Sequence, residues 1–179
     1  MRYTQDGKCH VSFLLGDDLP EDAPEVSGQD PDPLPGIIVF HEPLLVILPE
    51  HLRALCTEDA VDPAALTGVP VYPLLEPELN RITQKVFQNM GVSLVFKEDA
   101  GYLDVNTIGE LSRRSGCAIC PAYCASHMLR RCTSSSLFAA PLRPSVSVCI
   151  RMVFSEDQLM KEPLRSFLPY AVRYSEQPD

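Results

Sequence analysis

The chain has 179 residues, of which 45% are hydrophobic and 22% charged, and a formal charge of −9, the balance of an ordinary globular domain. No run approaches the ~18 consecutive apolar residues of a membrane helix, and the opening Met1-Arg2-Tyr3-Thr4-Gln5-Asp6 lacks the apolar stretch of a secretory signal, so a cytoplasmic protein with no membrane partner is expected. A phosphate backbone demands a basic face, and Arg113-Arg114 and Arg130-Arg131 are too few to offset the acidic balance, so this segment alone is not expected to hold DNA.

In chain order, His10–Leu15 reads as a short buried strand. Residues 16–36 are acidic and proline-rich, with too little apolar area to order themselves, and predict a mobile surface loop. Ile37–Leu48 predicts one or two strands, with Pro43 at a bulge or strand switch. Asp62 as N-cap and Pro63 at the first helical position start a short helix that Gly68 stops, ahead of a strand over 69–72. Leu79, Ile82, Val86 and Met90 recur at spacings of three and four, giving a helix over about 77–90 that Gly91 ends in a left-handed cap. Residues 92–96 alternate as a strand. A second helix is expected over about 107–115, capped by Asn106, with Ile108 and Leu111 on one face. Cys117–Cys120 predicts a short buried strand stopped by Pro121, and Val146–Val153 a clear strand. A last helix, about 161–173, is expected to turn Leu164, Phe167, Leu168 and Ala171 inward. Strands alternating with helices at short spacing predict an α/β fold with a largely parallel sheet.

The order of these pieces resembles the effector-binding domain of LysR-type transcriptional regulators, over about residues 9–173. Glu42-Pro43-Leu44-Leu45-Val46-Ile47-Leu48-Pro49, Asp62-Pro63-Ala64-Ala65-Leu66-Thr67-Gly68, Asn80 through Phe87 with Gly91, Gly116-Cys117-Ala118-Ile119-Cys120-Pro121 and Leu164-Arg165-Ser166-Phe167-Leu168 carry it. The resemblance implies a periplasmic-binding-protein-like fold of type 2, with two Rossmann-like lobes. The first lobe is about 9–48 and 142–173, the second about 49–141, and the first lacks its opening strand and helix. It also implies a small-molecule effector held between the lobes, pairing into a homodimer, and DNA contact only through a winged helix-turn-helix that this sequence does not contain. By position it places Tyr72, Pro73, Leu74, Leu75, Glu98, Asp99, Ala100, Gly116, Cys117 and Ala118 at the ligand. Leu74 and Leu75 are equally readable as plain core, and Glu98 and Asp99 would repel an anion, so a neutral or zwitterionic effector is expected.

Seven cysteines, an odd number without a secretory signal, argue against a disulfide framework. Cys117, Cys120, Cys124 and Cys132, with His127 among them, offer soft ligands at workable spacing for zinc or an iron–sulfur cluster. Against this, Cys117 and Cys120 sit three apart on a predicted strand and so point to opposite faces, and buried free cysteine commonly serves as a small hydrophobe. Packing is the preferred reading, with no cofactor, and a metal or redox protein is the alternative. Ser134-Ser135-Ser136 lacks the glycine-flanked setting of a hydrolase nucleophile and no phosphate-cradling glycine loop appears, so no enzyme is expected.

Overall fold

The structure, a computed structural model, describes residues 11–16, 36–132, 136–154, 161–162 and 164–175. The acidic loop expected over 16–36 lies almost wholly outside them. Two units are distinguished, one of residues up to His41 together with those from Cys149 onward, the other Glu42–Val148.

In the first unit β1 (Ser12–Gly16) runs antiparallel to β9 (Ser147–Val153), and β9 lies beside the first half of β2 (Gly36–Pro49). Its core gathers Val39, Met152, Phe154 and Leu164, with Val11, Phe40 and Leu168 packed on it. Leu164 opens the last helix, α3 (Leu164–Ser175). Phe167, expected to face inward, is 47% exposed; Leu164 and Leu168 already take the buried side. The side chain of Ala171 lies outside the described residues.

The second unit is built on the other half of β2. Residues 37–48 form part of one continuous strand, not two, and Pro43 is an exposed residue just ahead of Leu44, where pairing with β7 (Ala118–Pro121) begins. β2 lies between β7 and β8 (Leu137–Pro141), antiparallel to both. With paired strands on both edges, Leu44, Val46, Ile47 and Leu48 are all at most 1% exposed; residues pointing to both faces are buried, which is why the run is apolar without alternation.

The expected parallel sheet is therefore corrected. β7, α2 (Ala122–Arg131) and β8 form a strand–helix–strand crossover whose two strands are parallel to each other, as such crossovers require. But β2 is inserted between them in the opposite sense, so the hydrogen-bonded ladders are antiparallel. Parallel pairing remains between β5 (Pro70–Val71) and β6 (Val95–Phe96), and at the Val71–Cys117 bridge. A small antiparallel pair, β3 (Cys56–Thr57) with β4 (Ala60–Val61), completes the unit.

Several local expectations hold. Asp62 accepts a 2.8 Å hydrogen bond from the Ala64 N–H at the start of a 3-10 helix, Pro63–Leu66. α1 (Pro77–Asn89) is closed by Gly91 at φ +77. Its buried face, however, is Leu79, Ile82, Thr83 and Phe87. Val86 is only half-buried and Met90 is 40% exposed, because the stripe follows a spacing of four then rotates past them to Phe87. The helix expected over 107–115 is a 3-10 helix, Ile108–Arg113, that does bury Ile108 and Leu111. Its start is capped not by Asn106 but by Asp104, whose carboxylate accepts from the N–H groups of Asn106 and Thr107 at 2.8 Å each.

Candidate functional site

The segment Tyr72–Leu75 leaves the end of β5 and is clamped on every side by its own backbone. The Tyr72 N–H donates to the Cys117 carbonyl (2.8 Å), the Leu75 N–H to the Leu103 carbonyl (3.0 Å), and the Leu103 N–H to the Pro73 carbonyl (2.8 Å). Asn80, in the first turns of α1, mimics a paired strand. Its side-chain oxygen accepts from the Leu74 N–H (2.9 Å) and its amide donates to the Leu74 carbonyl (2.7 Å). Since Pro73 has no N–H, every backbone donor of this segment is already used.

Beyond the clamp lies an apolar cavity of about 390 Å³. Leu74, Leu75 and Glu76 form one side with Leu79 of α1 behind them; Leu103, Asp104 and Val105 form the floor. α2 closes it with Tyr123, Cys124, His127 and Met128. These four fall at i, i+1, i+4 and i+5, so one helical face presents them together. Leu75 (62%) and Tyr123 (55%) stand exposed at the mouth, while Leu74 and Leu79 are buried.

The electrostatics of the rim are acidic. Asp104 accepts a third hydrogen bond, from the Thr107 hydroxyl at 2.9 Å, and its two backbone donors and this hydroxyl hold it well below the usual carboxylate range. It is a charge fixed in place. At the start of α2, where unsatisfied N–H groups and the helix dipole favour an anion, Glu42 of β2 already accepts from the Tyr123 N–H at 3.0 Å. A hydrogen bond with Cys124, together with burial, pushes the Tyr123 phenol up to about 12.

Of the ten residues singled out from sequence, Leu74 and Leu75 border this cavity. Pro73 and Glu98 border a second, more polar hollow of about 240 Å³ beside Phe96 and Tyr102. Asp99 and Ala100 lie exposed on the 3-10 turn Glu98–Ala100, bordering neither. Tyr72 is half-buried, with the Arg114 guanidinium over its ring at 4.6 Å. Gly116, Cys117 and Ala118 are buried. Their backbone serves packing, for a Cβ on Gly116 would stand 2.2 Å from the Pro70 carbonyl oxygen.

The alternative metal set Cys117, Cys120, Cys124 and Cys132 is not gathered: among the described residues no three His, Cys, Asp or Glu side chains are placed to share an ion. Burial pushes the thiols of Cys117 and Cys120 up to about 12, as for cysteines packed among apolar side chains. Cys124 instead faces the apolar cavity, and Cys132 lies beside Gly109. What sequence reasoning missed is α2 itself. Cys124 and His127, read as part of a ligand spacing, stand on this helix, which is signalled by Pro121 ahead of it and Arg130-Arg131 in its last turn.

No protein-family model matches the chain, and no curated protein matches it in sequence. Solved structures match in fold. The chain is similar to CbnR, a LysR family transcriptional regulator, with a TM-score of 0.62 and 14% identity over 98% of this chain and 56% of that one. It is similar to the effector binding domain of a BenM variant, at TM-score 0.66 and 13% identity over 96% of this chain and 73% of that one. It is also similar to the regulatory domain of Synechocystis CcmR, solved with 2-PG, at TM-score 0.60 and 14% identity over 98% and 78%. The chain thus spans about half the length of CbnR (56%). At these identities the likeness is one of fold: the periplasmic-binding-protein-like fold, type 2, of LysR regulatory domains. Among the described residues no helix is long and apolar enough to cross a membrane.

Proposed function

We propose that this chain is the effector-sensing domain of a LysR-type transcriptional regulator, binding a small molecule at Leu74–Leu75 and the facing side of α2. The two units are its lobes. It senses rather than transforms, acts in the cytoplasm, pairs with a second copy of itself, and leaves DNA contact to a winged helix-turn-helix outside these residues. One observation carries the reading: in a fold shared with LysR regulatory domains, Leu74 and Leu75, two of the residues that the sequence resemblance assigns to the ligand, border an apolar cavity of about 390 Å³ within the second unit. That size lies within the roughly 300–1,000 Å³ typical of small-molecule sites.

The test is a thermal-shift screen of small alcohols, ketones, amines and carboxylic acids. A ligand present at 100 times its Kd stabilises the folded state by about 2.7 kcal/mol, which for a chain of this size raises Tm by roughly 5–10 °C. The Leu75→Trp variant, which fills the mouth from an exposed position, should abolish the shift. A broad panel producing no shift would count against sensing at this site, and a shift untouched by Leu75→Trp would move the site elsewhere.

A further inference from the structure

Resting on that reading, we infer that the cavity is selective for an uncharged ligand, an apolar body with one neutral polar group, and that it rejects the carboxylate of the same shape. Three features converge on this. The Tyr72–Leu75 segment has no spare N–H to offer an anion, because Cys117, Asn80 and Leu103 take all three. At the start of α2, whose Tyr123 borders the cavity, the Tyr123 N–H is already taken by the Glu42 carboxylate, and the residue before the first turn of α1 is the acidic Glu76. The rim then adds Glu76 and the immobilised carboxylate of Asp104, and among the described residues no Lys or Arg borders the cavity. An entering anion would meet the like charge of Glu76 and Asp104 with no cationic side chain to offset it.

The polar handle is His127. It lies on the same face of α2 as Cys124 and Met128, borders the cavity from its solvent side, and makes no hydrogen bond among the described residues. Its ring can donate to a carbonyl or accept from a hydroxyl, whichever the ligand presents. Leu74, Leu79, Leu103 and Met128 supply the apolar contact.

The experiment compares cyclohexylmethanol with cyclohexanecarboxylate by ligand-observed NMR titration at pH 7.5, on the full chain and on its Glu42→Gln, His127→Leu and Leu75→Trp variants. The alcohol is expected to bind at least tenfold more tightly than the carboxylate. Glu42→Gln keeps the acceptor on Tyr123 but removes its charge, and should narrow that ratio by threefold or more. His127→Leu should weaken the alcohol about tenfold, while Leu75→Trp should prevent its binding. A carboxylate that binds as well as the alcohol, competing for the same site, overturns the selectivity while leaving the sensing site intact. An unchanged ratio in Glu42→Gln overturns the electrostatic argument. Binding of neither probe, in a chain whose Tm is otherwise normal, overturns both the selectivity and the sensing reading it rests on.

Discussion

Replacing Gly116 by alanine is the sharpest test of how the site's platform is held. Gly116 does not need a left-handed backbone; it needs the absence of a side chain. A Cβ there would stand 2.2 Å from the Pro70 carbonyl oxygen, 2.8 Å from the Tyr72 ring and 3.0 Å from the Pro70 carbonyl carbon. The ring can turn aside, but the Pro70 carbonyl cannot. It is accepting the Cys117 N–H at 2.9 Å, and Tyr72 donates back to the Cys117 carbonyl at 2.8 Å. Making room means separating these strands by about 1 Å, which costs about 1–3 kcal/mol as overpacking. The two disturbed hydrogen bonds add about 1 kcal/mol each. Gly116→Ala should therefore cost about 3–5 kcal/mol, and with an m-value of about 2 kcal/mol/M the urea midpoint falls by about 2 M. Gly109→Ala is the control. Its Cβ would meet only the Cys132 sulfur, at 3.6 Å, an ordinary contact, so the change should stay within about 1 kcal/mol of zero. A loss below 1 kcal/mol for Gly116→Ala, or equal losses for the two, would refute the close-approach argument.

Thr83 on α1 is 1% exposed, and its hydroxyl has no hydrogen-bond partner. Thr83→Val keeps the shape and removes that group, so it should stabilise by about 1 kcal/mol, read as a Tm rise of roughly 2–4 °C. Thr83→Ser keeps the hydroxyl, loses a methyl and should go the other way. Asn80→Ala strips both bonds from Leu74 and should cost about 2 kcal/mol, with faster hydrogen exchange at the Leu74 amide; Asn80→Asp retains only the acceptor and should recover less than half. The thiols of Cys117 and Cys120 are raised from 9.0 to about 12 by burial, so the folded state holds protons that the unfolded chain gives up. Their stabilising effect is complete below pH 9 and is lost between pH 9 and pH 12, by about 1.4 kcal/mol per pH unit for each thiol. Denaturation midpoints measured from pH 8 to pH 11 should therefore fall steeply, and alkylation at pH 8, mapped by mass spectrometry, should spare both residues until urea is added. Flat midpoints over that range would show that the two thiols are not sealed.

Local chemistry was legible in the sequence, and long-range pairing was not. The Asp62-Pro63 start, the Gly91 stop and the apolar runs at 37–48 and 146–153 are written in neighbouring residues, and the structure keeps them with small shifts at the ends. Whether β2 runs with or against β7 depends on residues more than 70 positions apart, Leu45 and Cys120 among them, and no local pattern encodes it. The same holds for the cavity. It draws on 74–79, 103–105 and 123–128, three stretches brought together only by the Leu74–Leu103 bridge and the packing of α2. Asp104 was overlooked for a different reason. Its capping works through a turn before a 3-10 helix, where Asn106 looks equally suited until the carboxylate is seen to face both N–H groups.

The clamp on Tyr72–Leu75 ties stability to selectivity. Each bond that fixes the segment also removes a donor that an anion could have used, so rigidity and the rejection of charge come from one arrangement. A fold that presents free amides at such a position recognises anions through them; here those amides are spent internally, and recognition falls to side chains. That makes Asn80 more than a structural residue. Freeing the Leu74 N–H by Asn80→Ala should loosen the platform and at the same time offer a carboxylate a backbone donor. Stability and discrimination against anions should therefore fall together in that variant, whereas in Thr83→Val, which leaves both Asn80 bonds to Leu74 in place, stability should change alone.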